Sequence, residues 1–381
     1  MEARARLQAL REELRAQFLE RDELVDGALV ALLARAHVLV VGLPGTAKSQ
    51  VAHEVCRRIS GATYFQWLLT KFTTPEELFG PVSLRALEQD RYERVTAGML
   101  PRAHVAFLDE VFKASSAILN ALLTLVNERR FHNAGVAEPV PLLTLFGATN
   151  ELPDEDELRA LYDRFLLRYV VDYVQEDFRF LKLLTLPEPG AAGAVAALSL
   201  AELEALQADA ARVEVGQARL GELARLRRAL RQKGVVASDR RWRQALGALR
   251  AHAYLNGRAA VAEADLALLG HVLWQDPAER ATVQQALHDL LSGHEEEARQ
   301  LLFQARELLE YARRDFDDED QAARAAIEAY AKIRKIAGRV EELIEEARTR
   351  GRDLELVQAV REEINDIQRD VEDGAAKQDV Q

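Results

Sequence analysis

The chain has 381 residues, 49% hydrophobic and 29% charged, which is typical of a globular protein with a sizeable core and two or three domains. Its 62 Asp and Glu against 50 Lys and Arg leave a net charge of -12, so we expect no nucleic-acid partner. The single cysteine, Cys56, excludes an internal disulfide framework and a cysteine-based metal cluster, and we expect it to be a buried thiol.

The N-terminal segment is charged throughout and does not resemble a signal peptide. No uncharged apolar run approaches the roughly 18 residues that a membrane span needs. We therefore expect a cytoplasmic protein without a membrane span.

The first half of the chain alternates strand-like and helix-like stretches. Residues 2–35 carry Leu and Ala at helical spacing among charges, which predicts one or two amphipathic helices. A further helix is predicted at 114–129. Short apolar runs typical of buried strands lie at 37–42, 105–110, 142–150 and 164–174. Strands that alternate with helices predict a parallel α/β sheet.

The second half is predicted to be helical, after a linker or loop at 186–194. Helices over 199–275 are interrupted at 233–239 and at 256–265, where a new helix is expected to begin at Asp265 or just before. From about 281, apolar residues step by three and four along three stretches, which are separated by breaks near 315–320 and 349–353. This spacing favours a helical hairpin or antiparallel coiled coil, with an ordinary helical bundle as the alternative. The last residues, 373–381, are expected to be disordered.

One loop carries the strongest chemical signal. The segment "GLPGTAKS" at 42–49 matches the phosphate-binding pattern G-x-x-x-x-G-K-[ST], except that Ala47 stands where the second glycine is expected. A predicted strand precedes it and a predicted helix follows, so backbone N–H groups could surround an anion at the helix N-terminus. Lys48 would reach the β- and γ-phosphates and Ser49 would ligate Mg²⁺. The residues expected to bind nucleotide here are Gly42, Pro44, Gly45, Thr46, Ala47, Lys48, Ser49 and Gln50.

The substitution at Ala47 carries its own conformational prediction. A methyl group costs little where φ and ψ are already helical and is costly only at positive φ. We therefore expect Ala47 in the right-handed region, with its N–H still directed at the phosphates. Gly42 and Gly45 are the glycines that we expect the loop cannot lose.

Two further strand ends carry polar groups suited to phosphoryl transfer. The run "HVAFLDE" ends in Asp109, placed to hold Mg²⁺ through water, and Glu110, placed to orient and deprotonate an attacking water. The run "LLTLFGATN" delivers Asn150 to the carboxyl end of a buried strand, where open α/β sheets bind ligands. Asn150 could contact the γ-phosphate or the attacking water.

Three arginines follow these motifs. Arg164 lies in "LYDRF", and Arg240 and Arg241 lie in "SDRRW" at a predicted helix start with Ser238 or Asp239 as its cap. From the residues alone, each is best interpreted as a surface arginine in a salt bridge.

Five motifs together resemble one family. The segments "GLPGTAKS", "FTTPEELFGPVSLRAL", "RYERVTAGMLPRAHVAFLDEVFKASSAILNALLTLVNERRFHN", "GATNELP" and "LYDRFLLR" look like the MoxR branch of AAA+ ATPases, and within it most like the RavA-type subfamily. The resemblance covers about 20–275, and an alanine before the lysine is typical of the branch.

The resemblance implies a fold and an activity. The fold would be an α/β AAA+ core with a parallel sheet flanked by helices, an all-α lid and a C-terminal helical extension. The activity would be hydrolysis of ATP with Mg²⁺ between the subunits of a hexameric or similar ring. Lys48 and Ser49 would be Walker A residues, Asp109 and Glu110 Walker B residues, and Asn150 sensor 1. Arg164 would be the arginine finger acting on the neighbour's nucleotide, and Arg240 or, less well matched, Arg241 would be sensor 2.

The resemblance also predicts surface elements, partners and domains. A helix-2 insert at 79–100 and a hairpin at 130–142 would face the pore or one ring surface, and Arg129 and Arg130 could reach a neighbouring subunit. The chain departs from the RavA pattern after the lid, because heptad helices replace a partly β-structured module. A von Willebrand A domain partner and a protein client are implied. The predicted domains are 1–30 (N-terminal helices), 31–175 (nucleotide-binding), 176–276 (lid) and 277–381 (extension with a disordered tail).

Two other functions remain open at this point. The chain could be the motor subunit of a metal chelatase, a relative with similar inserts. It could also be a nucleotide-controlled scaffold, in which the C-terminal helices assemble other proteins and hydrolysis serves only as a timer.

Overall fold

The computed structural model describes residues 3–152, 156–175, 177–185, 197–313, 319–349 and 354–378. The chain divides into two compact units. The first comprises Met1–Leu220 with Leu230–Val283, and the second Gly221–Ala229 with Gln284–Gln381. The C-terminal extension predicted from 277 therefore begins at 284 as a compact unit, and it takes in part of an earlier helix.

The first unit contains the strands β1 (Val38–Gly42), β2 (Ile59–Ser60), β3 (Tyr64–Leu68), β4 (Val105–Asp109), β5 (Arg130–Asn133), β6 (Val136–Pro139), β7 (Thr144–Thr149), β8 (Leu167–Val171) and β9 (Leu198–Ser199). Five of them form a parallel sheet in the order β3-β4-β7-β1-β8, and two short strand pairs, β2-β9 and β5-β6, lie outside it. Because all five strands of the sheet run in one direction, their carboxyl ends meet at one edge. The predicted parallel α/β sheet is confirmed.

Strand β3 was missed by the sequence analysis. Its residues, YFQWL, alternate apolar and polar side chains, and only Phe65 is buried. The strand lies at the edge of the sheet, where one side is unpaired, so it lacks the continuous apolar run that marked the central strands. Strands β1, β4 and β7 are buried along almost their whole length, as predicted.

The α-helices are α1 (Ala3–Gln17), α2 (Asp22–Ala34), α3 (Lys48–Arg57), α4 (Pro75–Phe79), α5 (Leu84–Leu87), α6 (Ser116–Glu128), α7 (Asp156–Tyr162), α8 (Asp177–Thr185), α9 (Leu200–Ala211), α10 (Gln217–Gln232), α11 (Asp239–Leu255), α12 (Arg280–Ala312), α13 (Glu319–Thr349) and α14 (Glu355–Gln378). A 3₁₀ helix covers Glu263–His271, so the helix expected near Asp265 is present in a tighter form. The break predicted at 233–239 separates α10 from α11. The linker predicted at 186–194 lies outside the described residues.

The N-terminal helices pack into the first unit and do not form a separate segment. Helix α2 packs against α9 and α11 of the all-α part. Asp26 on α2 accepts hydrogen bonds from Arg11 and Arg15 on α1. Gln207 on α9 donates to the Leu32 carbonyl at 2.7 Å. Cys56 on α3 is buried, and burial raises its thiol pKa to about 11, as expected of a structural thiol.

In the second unit, α12, α13 and α14 share one apolar core. Its buried members include the residues that step by three and four in the sequence: Ala298, Ala305, Ile333, Val340, Leu343, Val357, Val360, Ile364, Ile367 and Val371. Arg306 pairs with Glu363 and Arg339 with Glu297, which ties α12 to both other helices. Arg361 on α14 pairs with Glu341 on α13, and Gln368 on α14 donates to Tyr330 on α13, so α13 and α14 run antiparallel in this core.

The end of the second unit differs from the prediction, and the predicted breaks between its helices lie mostly outside the described residues. Helix α14 continues to Gln378, into the stretch expected to be disordered, and this stretch contains the helix-favouring residues Ala375, Ala376 and Lys377. The breaks predicted at 315–320 and 349–353 fall mostly outside the described residues. None of the described helices combines the length and the hydropathy needed to cross a membrane.

Candidate nucleotide-binding site

A cavity of about 730 Å³ opens at the carboxyl edge of the sheet. The loop after β1 forms one wall and the residues that follow β4 and β7 form another. The lining residues with recognisable chemistry are Pro44, Gly45, Thr46, Ala47, Lys48, Ser49, Gln50, Asp109, Glu110 and Asn150. The structure therefore brings the three sequence motifs together in one place.

The backbone at Ala47 differs from the prediction. Its φ is 64° and ψ is 20°, in the left-handed region, whereas a right-handed conformation was expected. Ala47 is the residue before the first turn of α3, and the chain reaches it through Gly45, whose φ is also positive at 80°. Two left-handed residues close together turn the loop sharply into the helix. A non-glycine residue in this region costs about 1–2 kcal/mol, and alanine, the smallest side chain with a Cβ, is tolerated.

The two glycines singled out in the sequence have separate structural requirements. A Cβ at Gly42 would lie 2.3 Å from the carbonyl oxygen of Val171 on the adjacent strand β8, so any side chain would force the strands apart. Gly45 has open space around it but needs the positive φ. Gly42 is the last residue of β1 and does not line the cavity.

Lys48 connects the loop to the other two motifs. Its ammonium donates to the carbonyls of Gly42 and Leu43 and lies 3.5 Å from Oδ1 of Asn150. Burial lowers the Lys48 pKa, while the carboxylates of Asp109 and Glu110 act in the opposite direction. A half-desolvated cation at this position favours an anionic ligand.

Asn150 bridges Lys48 and Glu110. Its Nδ2 donates to Oε1 of Glu110 at 2.9 Å, and Oε2 of Glu110 pairs with Lys113 at 3.2 Å. Glu110 itself has a left-handed backbone, with φ 51°, which turns the chain at the end of β4. Strained backbone of this kind is found preferentially at functional sites.

Asp109 and Ser49 supply oxygen donors to the same cavity. The backbone N–H of Glu110 donates to Oδ1 of Asp109 at 3.1 Å. A carboxylate and a hydroxyl beside a phosphate-type loop are the ligand types that Mg²⁺ prefers. The donor set therefore fits a nucleotide-bound Mg²⁺.

The rest of the cavity was not found from the sequence. Its wall combines the end of α1 with the segment after β8: Gln17, Phe18, Leu19, Arg21, Tyr173, Val174, Phe180 and Leu183. These residues are separated by about 150 positions and belong to no motif. The clue available in the sequence was weak: a few apolar and aromatic residues beside predicted helix and strand ends.

Arg21 ties this wall to the phosphate-type loop. It is buried, and its guanidinium donates to the carbonyls of Asp172 and Glu20, with a longer 3.4 Å contact to the carbonyl of Thr46. Burial lowers the Arg21 pKa.

Neither candidate sensor 2 arginine lines the cavity. Arg240 is exposed and donates to Asn127 at 3.2 Å. Arg241 is completely buried and bonded to backbone carbonyls and to Asp163. In this structure the guanidinium of Arg241 is directed into the protein, and its role in nucleotide binding stays a prediction. The nucleotide-binding role of the exposed Arg240 likewise stays a prediction.

Arg164 and the residues near the hairpin lie elsewhere. Arg164 follows α7 on a turn, is half-buried, and does not line the cavity of its own chain. Arg129 donates to the carbonyls of Leu142 and Arg35, so this side chain is used within the chain, contrary to the expectation that it reaches a neighbour. Arg130 is exposed. The predicted hairpin is present as β5 and β6.

Comparison with known families and proteins agrees with this geometry. Residues 5–192 match the family described as the MoxR domain in the MoxR-vWA-beta-propeller ternary systems, and residues 220–287 match an AAA lid domain. The protein MJ0079 of Methanocaldococcus jannaschii is 43% identical over 77% of this chain and 76% of its own length. The chaperone MoxR1 of Mycobacterium tuberculosis is 32% identical over 40% of this chain and 41% of its own.

A solved structure supports the fold alone. A crystal structure of a candidate ATPase from Cytophaga hutchinsonii superposes with a TM-score of 0.61 at 15% identity, covering 76% of this chain and 94% of the other. With the carboxyl-edge cavity, the phosphate-type loop and the helical lid, these matches identify the chain as a member of the MoxR family of AAA+ ATPases.

Proposed function

We propose that the protein hydrolyses ATP with Mg²⁺ and that hydrolysis takes place at the subunit interfaces of a ring. The observation that carries this proposal is the contact chain Lys48–Asn150–Glu110 across one cavity, beside Asp109 and Ser49. A cation for phosphate, a carboxylate base and a polar group between them are the parts that phosphoryl transfer to water requires. The preference for ATP over GTP is proposed from the family to which the chain belongs.

Each residue has a defined task in this scheme. The loop N–H groups and Lys48 bind the phosphates. Ser49 and Asp109 would hold Mg²⁺, which would supply positive charge to neutralise the phosphates. Glu110 orients a water and accepts its proton, and the amide of Asn150 holds the Glu110 carboxylate toward the phosphate end of the cavity.

Phosphate release at steady state tests the hydrolytic role. Glu110→Gln removes the base but keeps the shape, so turnover should fall by roughly 100-fold or more while ATP binding is retained. Glu204→Gln, at an exposed position on α9, is the matched control and should leave turnover unchanged. Retained turnover in Glu110→Gln would remove Glu110 from the mechanism.

We further propose that Arg164 acts in trans. It lies outside its own cavity, half-buried on the turn that follows α7. A guanidinium that completes the neighbour's site makes turnover depend on assembly. Turnover per subunit should therefore rise with protein concentration as rings form, and Arg164→Ala should abolish this rise. Sedimentation of the same samples gives the subunit number, which we propose to be six.

The partner and client are proposed from the family. The matching family description places MoxR domains in systems with vWA proteins, which supports a von Willebrand A domain partner. We propose that the protein acts as a chaperone or remodelling enzyme in the cytoplasm. We also propose that it belongs to a RavA-like subfamily, in which its three-helix second unit replaces the module that usually follows the lid. The Glu110→Gln variant should stay in the ATP-bound state and retain its partner, so the partner can be captured with it in a pull-down from the native host. Capture of proteins without a von Willebrand A domain contradicts this part of the proposal, and a co-purifying tetrapyrrole chelatase favours the motor-subunit alternative.

A further inference from the structure

The turn that presents Arg164 is held unusually firmly. After α7, the N–H groups of Asp163, Arg164 and Phe165 donate back to the carbonyls of Arg159, Leu161 and Tyr162. The backbone N–H groups of the turn are therefore bonded within the turn and to the end of α7. Several of its backbone carbonyls accept hydrogen bonds from two buried guanidinium groups, those of Arg241 and Arg168.

Arg241 makes the larger set of these bonds. Nη2 donates to the carbonyls of Phe165 and Leu166 at 2.7 and 2.9 Å, and Nη1 to the carbonyl and carboxylate of Asp163 at 3.2 and 3.1 Å. Its Nε donates to the carbonyl of Val272. The fork thus joins both flanks of Arg164 to the helical part of the unit.

Arg168 bonds the same turn from strand β8. Its guanidinium donates to the carbonyls of Tyr162 and Phe165 at 3.2 Å and to the carbonyl of Trp274. It also lies over the Tyr162 ring, 3.8 Å from the centroid. Val272 and Trp274 follow one another closely in the chain, so both arginines connect the turn to one short segment of the lid.

These contacts are costly to build. Arg168 and Arg241 each have no exposed surface. Burial, followed by the charge of Arg241, lowers the pKa of Arg168 to about 9, and burial also lowers the pKa of Arg241. Burying two like charges to bond a five-residue turn stabilises the protein poorly in comparison with apolar packing. The arrangement does, however, fix the position of the turn against the lid.

We propose that Arg241, supported by Arg168, is a positioning residue that holds Arg164 in place for the neighbouring subunit's nucleotide. The inference rests on the proposed trans role of Arg164. Arg241 would act on the next subunit's hydrolysis and leave nucleotide binding in its own cavity unchanged, because it does not line that cavity. Movement of the lid segment at 272–274 would pass directly to Arg164 through the two guanidinium groups.

The test uses full-length chains mixed in pairs. Arg241→Ala alone should lose at least about tenfold in ring turnover, within the large effect that arginine fingers have. It should bind a fluorescent ATP analogue with unchanged affinity. Mixed with an excess of Glu110→Gln, which cannot hydrolyse but has an intact turn, the Arg241→Ala subunits should regain turnover, because their neighbours now present a correctly held Arg164.

Arg164→Ala mixed with Glu110→Gln is the reference for this experiment. If both mixtures regain turnover, the inference is supported. If only the Arg164→Ala mixture does, Arg241 is a structural residue and the inference is overturned, while the trans role of Arg164 stands. If neither regains turnover, the trans role fails and the inference fails with it.

Two further variants guard against misfolding. Arg241→Lys keeps the charge but cannot bond Val272 and both flanks of Arg164 at once, so it should show the same loss and the same recovery in mixtures. Arg243→Ala, two residues along α11 and exposed, should behave as wild type. Full turnover in Arg241→Lys, or a loss of turnover in Arg243→Ala equal to that in Arg241→Ala, would contradict a specific positioning role.

Discussion

Replacement of Ala47 by glycine should stabilise the protein. Most alanine-to-glycine changes destabilise, because glycine gains more freedom in the unfolded chain, by about 0.4–1 kcal/mol. Ala47, however, has φ 64°, where a Cβ costs about 1–2 kcal/mol. At the midpoints of these two ranges, about 1.5 and about 0.7 kcal/mol, the relief of strain exceeds the entropic loss, which leaves a net gain of roughly 0.8 kcal/mol. For a unit of this size, the melting temperature should rise by roughly 1–4 °C.

Thermal unfolding of the full chain, followed by circular dichroism, measures this shift. Two further variants calibrate it. Ala134→Gly changes an exposed alanine with φ 50° in the β5–β6 turn and should give a similar rise. Ala117→Gly changes an exposed alanine in the first turn of α6 and should lower stability by up to about 1 kcal/mol.

The outcome separates two views of the loop. If the melting temperature of Ala47→Gly rises as much as that of Ala134→Gly, the native alanine lowers the stability of the protein. A fall matching that of Ala117→Gly would mean that Ala47 has helical φ and ψ, as its sequence context first suggested, and would refute the left-handed geometry. ATP affinity should not decrease in Ala47→Gly, because glycine adopts the same backbone more easily.

Three further changes test other parts of the site and core. Gly42→Ala should destabilise the first unit by more than 1 kcal/mol in denaturant unfolding, because its Cβ meets the Val171 carbonyl at 2.3 Å; an unchanged midpoint would contradict the close approach of the strands. Asn150→Ala should lower turnover by about 10–100-fold with little change in ATP affinity, because it removes the hydrogen bond to the Glu110 carboxylate. An equal loss of ATP affinity in a binding titration would instead show that Asn150 binds the ligand. His37 is buried and accepts a hydrogen bond from the Leu145 N–H, and burial lowers its pKa to about 3. Between about pH 3 and about pH 6.5 the unfolded chain binds a proton at His37 and the folded chain does not. The free energy of unfolding of the wild type should therefore fall by up to about 1.4 kcal/mol per pH unit as the pH falls through this range. In unfolding curves measured at several pH values, His37→Gln should lack this contribution.

The sequence by itself determined the α/β sheet, the family and the residues at the strand ends. Buried strands such as β1 and β4 need continuous apolar runs, and a phosphate loop needs a fixed local spacing, so both leave a readable pattern. The heptad residues of the second unit were likewise readable, because one side chain in three or four must face the core. Edge strand β3 left no such pattern because only one of its residues is buried.

Only the tertiary structure decided the rest. The cavity wall around Phe18 and Tyr173 joins segments far apart in the chain, and no local rule links them. The left-handed backbone at Ala47 follows from how the loop must turn between β1 and α3, which the residue type alone opposes. The separation of Arg240 from Arg241 has the same origin: neighbours on a helix point about 100° apart, so one faces solvent and the other is buried against the turn that carries Arg164.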